Sequence, residues 1–562
     1  MVTRKVTCKA TRKRRLTAVG AAASLVGAAA VAGLLQLGTT SAAEAPGVSI
    51  DWTSVPPVAA TRGITSPNVL SPELAEHVVA QGSMKLENPT ATVPYYGYDG
   101  NGTLMPDPKI VQAPGTNVEA SKTEPDKNTF LKLNGLHGAD PNYDYGAHFL
   151  YQGHEAGLTG YITRVNLDAD DAHRVTLLAT NLGDGTAIPT IDGSTWDPFA
   201  SKLLFTVEHG NAGAVLQSGP DINATVEDLS FAFGRGGYEG IQNDPSGALW
   251  IPEDVGGARP AGSQARNPNS FLYRFVPYNA ADLKAGGQMQ ALQVISLRTS
   301  QPIVFQPIDA AHPTGGILTD DQKDLSTYGL VFDTHWVTIH DTHVDTSGLP
   351  FDANAAAKAA GATPFKRPEN GVFRPGTGFQ EFYFDATGDT SAASNANADF
   401  GGWGAVFKLT QTNPTADQGQ LSLFYKNDQQ HSAFDNVTFI DGDHVAFVED
   451  AGDTLHAQRN LLDSGFLFDV RVDYANGDQP VRFLAEGRDP SATLDSMLAA
   501  EGKGFQNDGD NEITGIHMSD GDPSAGGILG AKIPTPFRQG WRLFWTAQHG
   551  DNATWQITRS AD

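Results

Sequence analysis

Glu239-Gly-Ile-Gln-Asn-Asp-Pro-Ser-Gly-Ala-Leu-Trp-Ile-Pro-Glu253-Asp254 is the stretch that decides how this chain is read. It leads from an acid, through a Pro-Ser-Gly turn, into a short apolar strand that stops on two more acids. The unit recurs as Trp196-Asp-Pro-Phe-Ala-Ser-Lys-Leu-Leu-Phe-Thr-Val-Glu208 and as Asp435-Asn-Val-Thr-Phe-Ile-Asp-Gly-Asp-His-Val-Ala-Phe-Val-Glu449-Asp450. Glu369-Asn-Gly followed by Glu381-Phe-Tyr-Phe-Asp-Ala-Thr-Gly-Asp389 is a looser copy, and Glu512-Ile-Thr-Gly is answered by a strand ending on Gln548-His549. A repeated strand pair with its polar groups at one end is how a β-propeller gathers a site around its axis. Carboxylates converging on one place repel one another unless a cation lies among them. The repeat therefore predicts an all-β propeller and metal chemistry together.

The remaining strand-like segments agree. From Asn134 onward, runs of four to seven apolar and aromatic residues follow one another, bounded by Gly, Pro, Asn or Asp. The 61 Gly and 33 Pro punctuate these runs instead of forming low-complexity tracts. Helical periodicity is confined to short candidates at 279–284, 352–360 and 492–501. Long helices between strands would have signalled crossover units, and they are missing from the pattern. Residues 44–130 read as an extended arm on the main domain, 131–562 as the propeller, and 297–362 as an insertion carrying His335, His340 and His343.

Residues 1–43 contain seven Lys and Arg and no acid, then an uncharged Ala/Gly/Val/Leu run, then the small residues Ser41-Ala-Ala43. These are the regions of an export signal. Arg14-Arg15 beside a weakly apolar run points to twin-arginine export, although an ordinary secretory signal has the same layout. Without this segment, 31 Lys and Arg stand against 64 acids. Such a surface excludes nucleic acid and anionic lipid as partners, since phosphate backbones need cationic contacts. Cys8, the one cysteine, lies in the signal, so the mature chain has no thiolate nucleophile or ligand, and oxygen and imidazole must hold any metal. The expected location is secreted or in the cell envelope.

Calcium takes six to eight oxygen ligands. The candidates are Glu208, Glu239, Glu253, Asp254, Glu369, Asp435, Glu449, Asp450, Glu512 and Gln548. A single acid at a strand end is commonly a solvated turn residue. The doublets Glu253-Asp254 and Glu449-Asp450 argue otherwise, because each follows an apolar strand at a similar offset from Glu239 and Asp435. The histidines of 335–343 lie on a β-like segment, where alternation splits them between faces; they read as a polar surface insert. Arg367, two residues from Glu369, shares its face in an extended segment and suits a phosphate through its planar fork. No nucleophile elbow and no Walker loop is present.

Taken in order, Trp-Asp-Pro-Phe…Glu208, Glu239-Gly-Ile…Glu253-Asp254, Phe271-Leu-Tyr-Arg-Phe-Val-Pro277, Lys366-Arg-Pro-Glu369, Asp435-Asn…Glu449-Asp450 and Glu512…Gln548-His549 resemble the PhoX-type alkaline phosphatases. That resemblance implies a six-bladed propeller, twin-arginine export and hydrolysis of phosphate monoesters at an axial cluster of Ca²⁺ and iron. Carried over, Glu239 and Glu369 are central ligands with catalytic weight, Arg367 holds the phosphate, and Glu208, Glu253, Asp254, Asp435, Glu449, Asp450 and Glu512 complete the cluster. The family's iron-binding cysteine has no counterpart; Asp192 stands near its place, which puts Fe³⁺ in doubt. Small phosphorylated molecules acted on by a monomer without membrane attachment are expected. Two other readings stay open: a Ca²⁺-dependent propeller hydrolase of another class, lactonase or phytase-like, and a non-catalytic Ca²⁺-stabilised binding propeller.

Overall fold

The computed structural model describes residues 50–61, 66–100, 123–487, 512–548 and 552–560. The export segment 1–43, the helix expected at 492–501 and His549 lie outside them.

The described residues form antiparallel sheets built by one rule. A short innermost strand is followed by three strands laid successively outward. The first sheet is Pro125–Lys132, His148–His154, Ile162–Asn166 and Val175–Ala179. The second is Ser194–Asp197, Lys202–Thr206, Val215–Ser218 and Glu227–Asp228. A nine-stranded sheet contains two more such meanders. One runs Gln242–Asn243, Leu249–Pro252, Leu272–Pro277, Gly287–Val294; the other runs Gly371–Phe373, Glu381–Ala386, Ala405–Gln411, Gln418–Lys426. Their outer edges are joined by Val331–Asp341, which pairs with Gly287–Val294 on one side and Gln418–Lys426 on the other. The region read as an insertion thus supplies an eleven-residue strand that ties two meanders together.

Phe434–Phe439, His444–Glu449, Ser464–Asp469 and Val481–Ala485 make the next sheet, with Val69–Leu70 on its outer edge. Glu512–Ser519, Arg542–Gln548 and Thr554–Arg559 make the last, and its fourth strand is Leu74–Ala80 from the start of the described chain. Residues assigned to the N-terminal arm therefore complete two sheets.

The meanders adjoin in ring order through their inner strands, the last against the first, with Leu249–Pro252 meeting Gly371–Phe373 between the third and fourth, so they stand around an axis as the blades of a propeller. Between blades the core is aromatic. Trp250 meets Trp336, Phe373 and Phe382 at ring-centroid separations of 5.1, 5.0 and 4.9 Å, where the two joined meanders face each other. Such side chains suit a half-buried pleated surface. Helices are minor. Ala353–Ala359 forms where 352–360 was expected, with the Asp352 carboxylate accepting from the Ala355 N–H at 2.8 Å. The candidate at 279–284 reduces to a single 3₁₀ turn, Leu283–Ala285. Among the described residues, no helix is long and apolar enough to cross a membrane.

Candidate metal centre

In an antiparallel pair the start of one strand lies opposite the end of the next. The start of each innermost strand and the end of its neighbour therefore reach the same end of the ring. Six acids mark the starts: Asp126, Asp192, Glu239, Glu369, Asp435 and Glu512. At the second-strand ends stand Glu155, Glu208, Glu253-Asp254, Thr387, Glu449-Asp450 and Gln548. The unit seen five times in the sequence occurs six times in the fold. The copy missed is Asp126…Glu155, whose first strand opens Pro-Asp-Lys-Asn-Thr and fell within the supposed arm.

A shared backbone device fixes these ends. The carbonyl two residues before the first acid accepts the N–H of the residue just beyond the second strand. The pairs are Glu124 with Glu155 at 3.0 Å, Gly237 with Asp254 at 2.7 Å, Arg367 with Thr387 at 2.7 Å and Ala433 with Asp450 at 2.7 Å. At Glu124, Arg367 and Ala433 the backbone is left-handed, with φ of 53°, 58° and 57°. Such a conformation costs a non-glycine residue roughly 1–3 kcal/mol and persists only where surroundings impose it. The innermost strands are also bulged near this end: pairing register shifts between Pro125 and Asn128, between Phe434 and Val437, and between Ile513 and Gly515. A bulge re-aims side chains that simple alternation would turn away.

The result is three interlocking carboxylate groups. In Asp126–Glu155–Asp192, Asp192–Glu208–Glu239 and Glu239–Glu369–Asp435, the oxygens of each group lie within 4.8 Å of one another. Asp192 and Glu239 each belong to two groups, and burial together with repulsion from the neighbouring carboxylates raises both well above the carboxylate range. Gln548 donates to Asp126 at 2.8 Å and to Glu155 at 3.0 Å. Gly193 and Gly240 let the strands close in: a Cβ on Gly240 would lie 2.1 Å from the Asn370 Oδ1, and one on Gly193 2.6 Å from the Glu239 carbonyl oxygen.

Burial dominates the electrostatics. It pushes Asp126 up to about 8 against its contact with the Lys127 N–H, with Asp450 and Glu208 adding to the rise. It takes Glu208 up to about 7, where Asp254 and Asp450 raise it further and Arg367 and Arg266 oppose. Glu155, Asp192, Glu239, Glu369 and Asp435 are held well above the carboxylate range by burial and by one another. The only groups that could hold an ion among the described residues are these, and all their donors are carboxylate oxygens. Crowded, desolvated carboxylates of this kind fit a hard divalent cation such as Ca²⁺.

Cationic groups stand at the same end. The Arg367 Nε donates to Asp254, and its Nη2 lies 3.3 Å from the Glu369 Oε1. Arg266, from the long loop between Leu249–Pro252 and Leu272–Pro277, shares the field of Arg367, Arg259, Asp254 and Asp389. Lys127 is 3% exposed and hydrogen-bonds to Asn370. Sequence reasoning missed Arg266 and Lys127, because neither stands in a recurring position.

Five of the proposed ligands, Asp192, Glu208, Glu239, Glu369 and Asp435, are brought together. Asp254 is engaged by Arg367, and Asp450 shares the field of Asp126, Glu208 and Asp435. Glu253, Glu449 and Glu512 are in none of the three groups. Glu253 turns outward, accepting from the Phe271 N–H at 3.2 Å, the Tyr273 hydroxyl at 3.0 Å and the Asn354 amide at 2.9 Å. Glu449 is paired with Arg459 at 2.8 Å. Glu512 faces Gln548 across the strand pair. His340 stacks on Phe351 and His343 on Tyr278, and no histidine enters the three groups.

No curated protein sequence matches the chain. Among solved structures, Pseudomonas fluorescens PhoX in complex with vanadate, a transition state analogue, is 12% identical, with a TM-score of 0.49 over 91% of this chain and 98% of that one. The periplasmic gluconolactonase PpgL of Pseudomonas aeruginosa is 11% identical, with a TM-score of 0.31 over 86% and 99%. A luciferin-regenerating enzyme is 9% identical, with a TM-score of 0.36 over 78% and 91%. The family model described as alkaline phosphatase PhoX matches residues 261–521. The matched region contains Arg266, Arg367, Glu369, Asp435 and Asp450, five of the residues gathered at the axis.

Proposed function

We propose that the chain is an exported, metal-dependent phosphatase that hydrolyses small phosphate monoesters at the axial carboxylate cluster. The observation that carries this reading is the meeting of three buried or half-buried carboxylate groups with Arg367, which lies inside the region of the family match. Asp192, Glu208, Glu239, Glu369 and Asp435 would hold the cations, with Asp126 and Glu155 extending the set. Calcium is the first expectation from the all-oxygen donors; iron would rest on Asp192, a carboxylate where the family has a thiolate. Bound cations would neutralise phosphoryl oxygens and supply an activated water.

The protein's own part is positioning. Asp254 and Glu369 orient the Arg367 fork through Nε and Nη2. A fork aimed in this way matches two phosphoryl oxygens better than a lysine would. Arg266 adds a second guanidinium to the same field. The arginine pair favours a phosphate ester over a lactone, whose uncharged ring offers a guanidinium no dianion. Export through a signal at 1–43, possession of the arm 44–130 and monomeric action on soluble substrates belong to the same proposal.

The test is elemental analysis of the purified protein alongside p-nitrophenyl phosphate hydrolysis, with and without chelator. Bound calcium with chelator-sensitive release of nitrophenol supports the reading. Bound calcium with no phosphate release, or turnover of a lactone that phosphate does not inhibit, would replace it with a binding propeller or another hydrolase.

A further inference from the structure

Lys127 occupies an unusual place. It follows Asp126 on the innermost strand Pro125–Lys132, and neighbours on a regular strand point to opposite faces. The register shift between Pro125 and Asn128 removes that alternation. Asp126 meets Gln548, while Lys127 donates from Nζ to the Asn370 Oδ1 at 2.9 Å. Asn370 relays the contact in two directions. Its Nδ2 donates to the Asp435 Oδ1 at 3.3 Å, and its backbone N–H donates to the Asp385 Oδ1 at 2.8 Å. The other Asp385 oxygen is buried without a hydrogen-bond partner. Burial pulls the Lys127 ammonium below the usual lysine range, and Asp435, Asp126, Asp385 and Asp192 oppose that fall.

These contacts give the cluster two unlike sides. In the groups Asp192–Glu208–Glu239 and Glu239–Glu369–Asp435, carboxylate oxygens face one another across 4.8 Å or less. Toward Asp385 and Asp435, an ammonium already stands among the acids. Lys366, also buried, is different: it is consumed by Asp389 at 3.0 Å. Lys127 touches no carboxylate closely enough to appear as an ion pair; its direct partner is a neutral amide that it orients.

We infer that the Lys127 ammonium is a built-in cation of the cluster. It fills the side beyond the Glu239–Glu369–Asp435 group, between Asp435 and Asp385, in place of a further exchangeable ion, and so limits how many divalent ions the axis takes up. Lys127 is a positioning residue, acting on Asp435 through Asn370 and on the neighbouring carboxylates through its charge. The inference rests on the metal-centre reading above.

Calcium content of the full chain, measured by elemental analysis after equilibration with Ca²⁺ and removal of excess, tests it directly. Lys127→Gln is expected to bind one more Ca²⁺ per chain than the native protein. Its melting temperature in chelator should fall below that of the native protein, and added Ca²⁺ should close the gap. Lys127→Arg, which keeps the charge, should return the native calcium count. Adding Asp385→Asn to Lys127→Gln removes one negative charge from the same side and should abolish the additional ion. An unchanged calcium count in Lys127→Gln, with the same separation between chelated and calcium-loaded melting temperatures as in the native protein, would overturn this inference alone. A native protein that binds no Ca²⁺ would overturn the metal-centre reading and this inference with it. If Lys127→Gln does not fold, Asp385→Asn by itself decides: loss of a native calcium ion would show that Asp385 serves a metal and overturn the inference, while an unchanged count supports it.

Discussion

Arg367 carries the most demanding geometry of any single residue at the axis. It has a left-handed backbone, a carbonyl tied to Thr387 and a fork set by Asp254 and Glu369. Arg367→Lys keeps the charge but loses the planar pair of donors. We expect kcat for p-nitrophenyl phosphate to fall about 10²–10³-fold, the usual effect of removing one aimed donor, with the calcium content unchanged. Glu239→Gln is expected to act differently, lowering the calcium content itself, because Glu239 belongs to two of the three groups; elemental analysis separates the two effects. At this scale the sequence was readable wherever an acid opened an innermost strand. It was not readable within the doublets. Adjacent strand residues face opposite ways, so Asp254 turns to Arg367 while Glu253 turns to Tyr273 and Asn354. Glu449 likewise goes to Arg459, while Asp450 keeps to the axis. Composition alone gives no means of choosing the member of a pair.

The unit at the next scale is the strand pair with its backbone tie, from the carbonyl before the first acid to the amide beyond the second strand. Ala433 holds one of these ties at a φ of 57°. Ala433→Val forces a branched side chain into that conformation and is expected to destabilise the protein by about 1–2 kcal/mol or more. Ala433→Gly, which pays no such penalty, should not, and thermal melts of both variants distinguish strain from mere substitution. Gly240→Ala should leave the strands in place but displace Asn370, since the added Cβ would fall 2.1 Å from the Asn370 Oδ1. Weakened calcium binding with a folded circular-dichroism spectrum is the expected result. The repeat of strand, turn and strand was visible in the sequence because apolar runs and Gly or Pro turns encode it locally. The bulges and the outer bridge Val331–Asp341 were not visible. Both depend on which strand lies alongside, and no short window of sequence contains that.

For the molecule as a whole, the cluster makes stability depend on pH in a direction opposite to that of most acidic groups. Asp126, Glu155, Asp192, Glu208, Glu239, Glu369 and Asp435 have folded-state pKa values raised above their ordinary ones, Glu208 to about 7 and Asp126 to about 8. A raised pKa contributes stability below the unfolded value and loses it as pH climbs through the folded one. In chelator, the melting temperature should therefore fall between about pH 5 and pH 8. Saturating Ca²⁺ should remove most of that fall, since binding only to the folded state stabilises it. A chelated protein that melts at the same temperature at both pH values would show that the carboxylates are not held apart from water as the fold implies. The all-β class and the propeller were legible from the turns and the recurring acids; the joining of the chain's two ends was not, because 74–80 carries no mark of its distant partner.

That joining governs how the protein can come into being. The outermost strand of the last sheet, Leu74–Ala80, is made long before its partner, Thr554–Arg559. A ribosome working in one direction must therefore leave the earlier strand waiting, its edge bare, until the later one has been translated. The acids of the three groups, from Asp126 to Asp435, come from four sheets, so the cluster exists only once those sheets have come together. Pairings between such distant segments are slow to find. If calcium fills the cluster as proposed, its uptake would come late in folding, and the loss of signal from a dye that reports free calcium during refolding would time it.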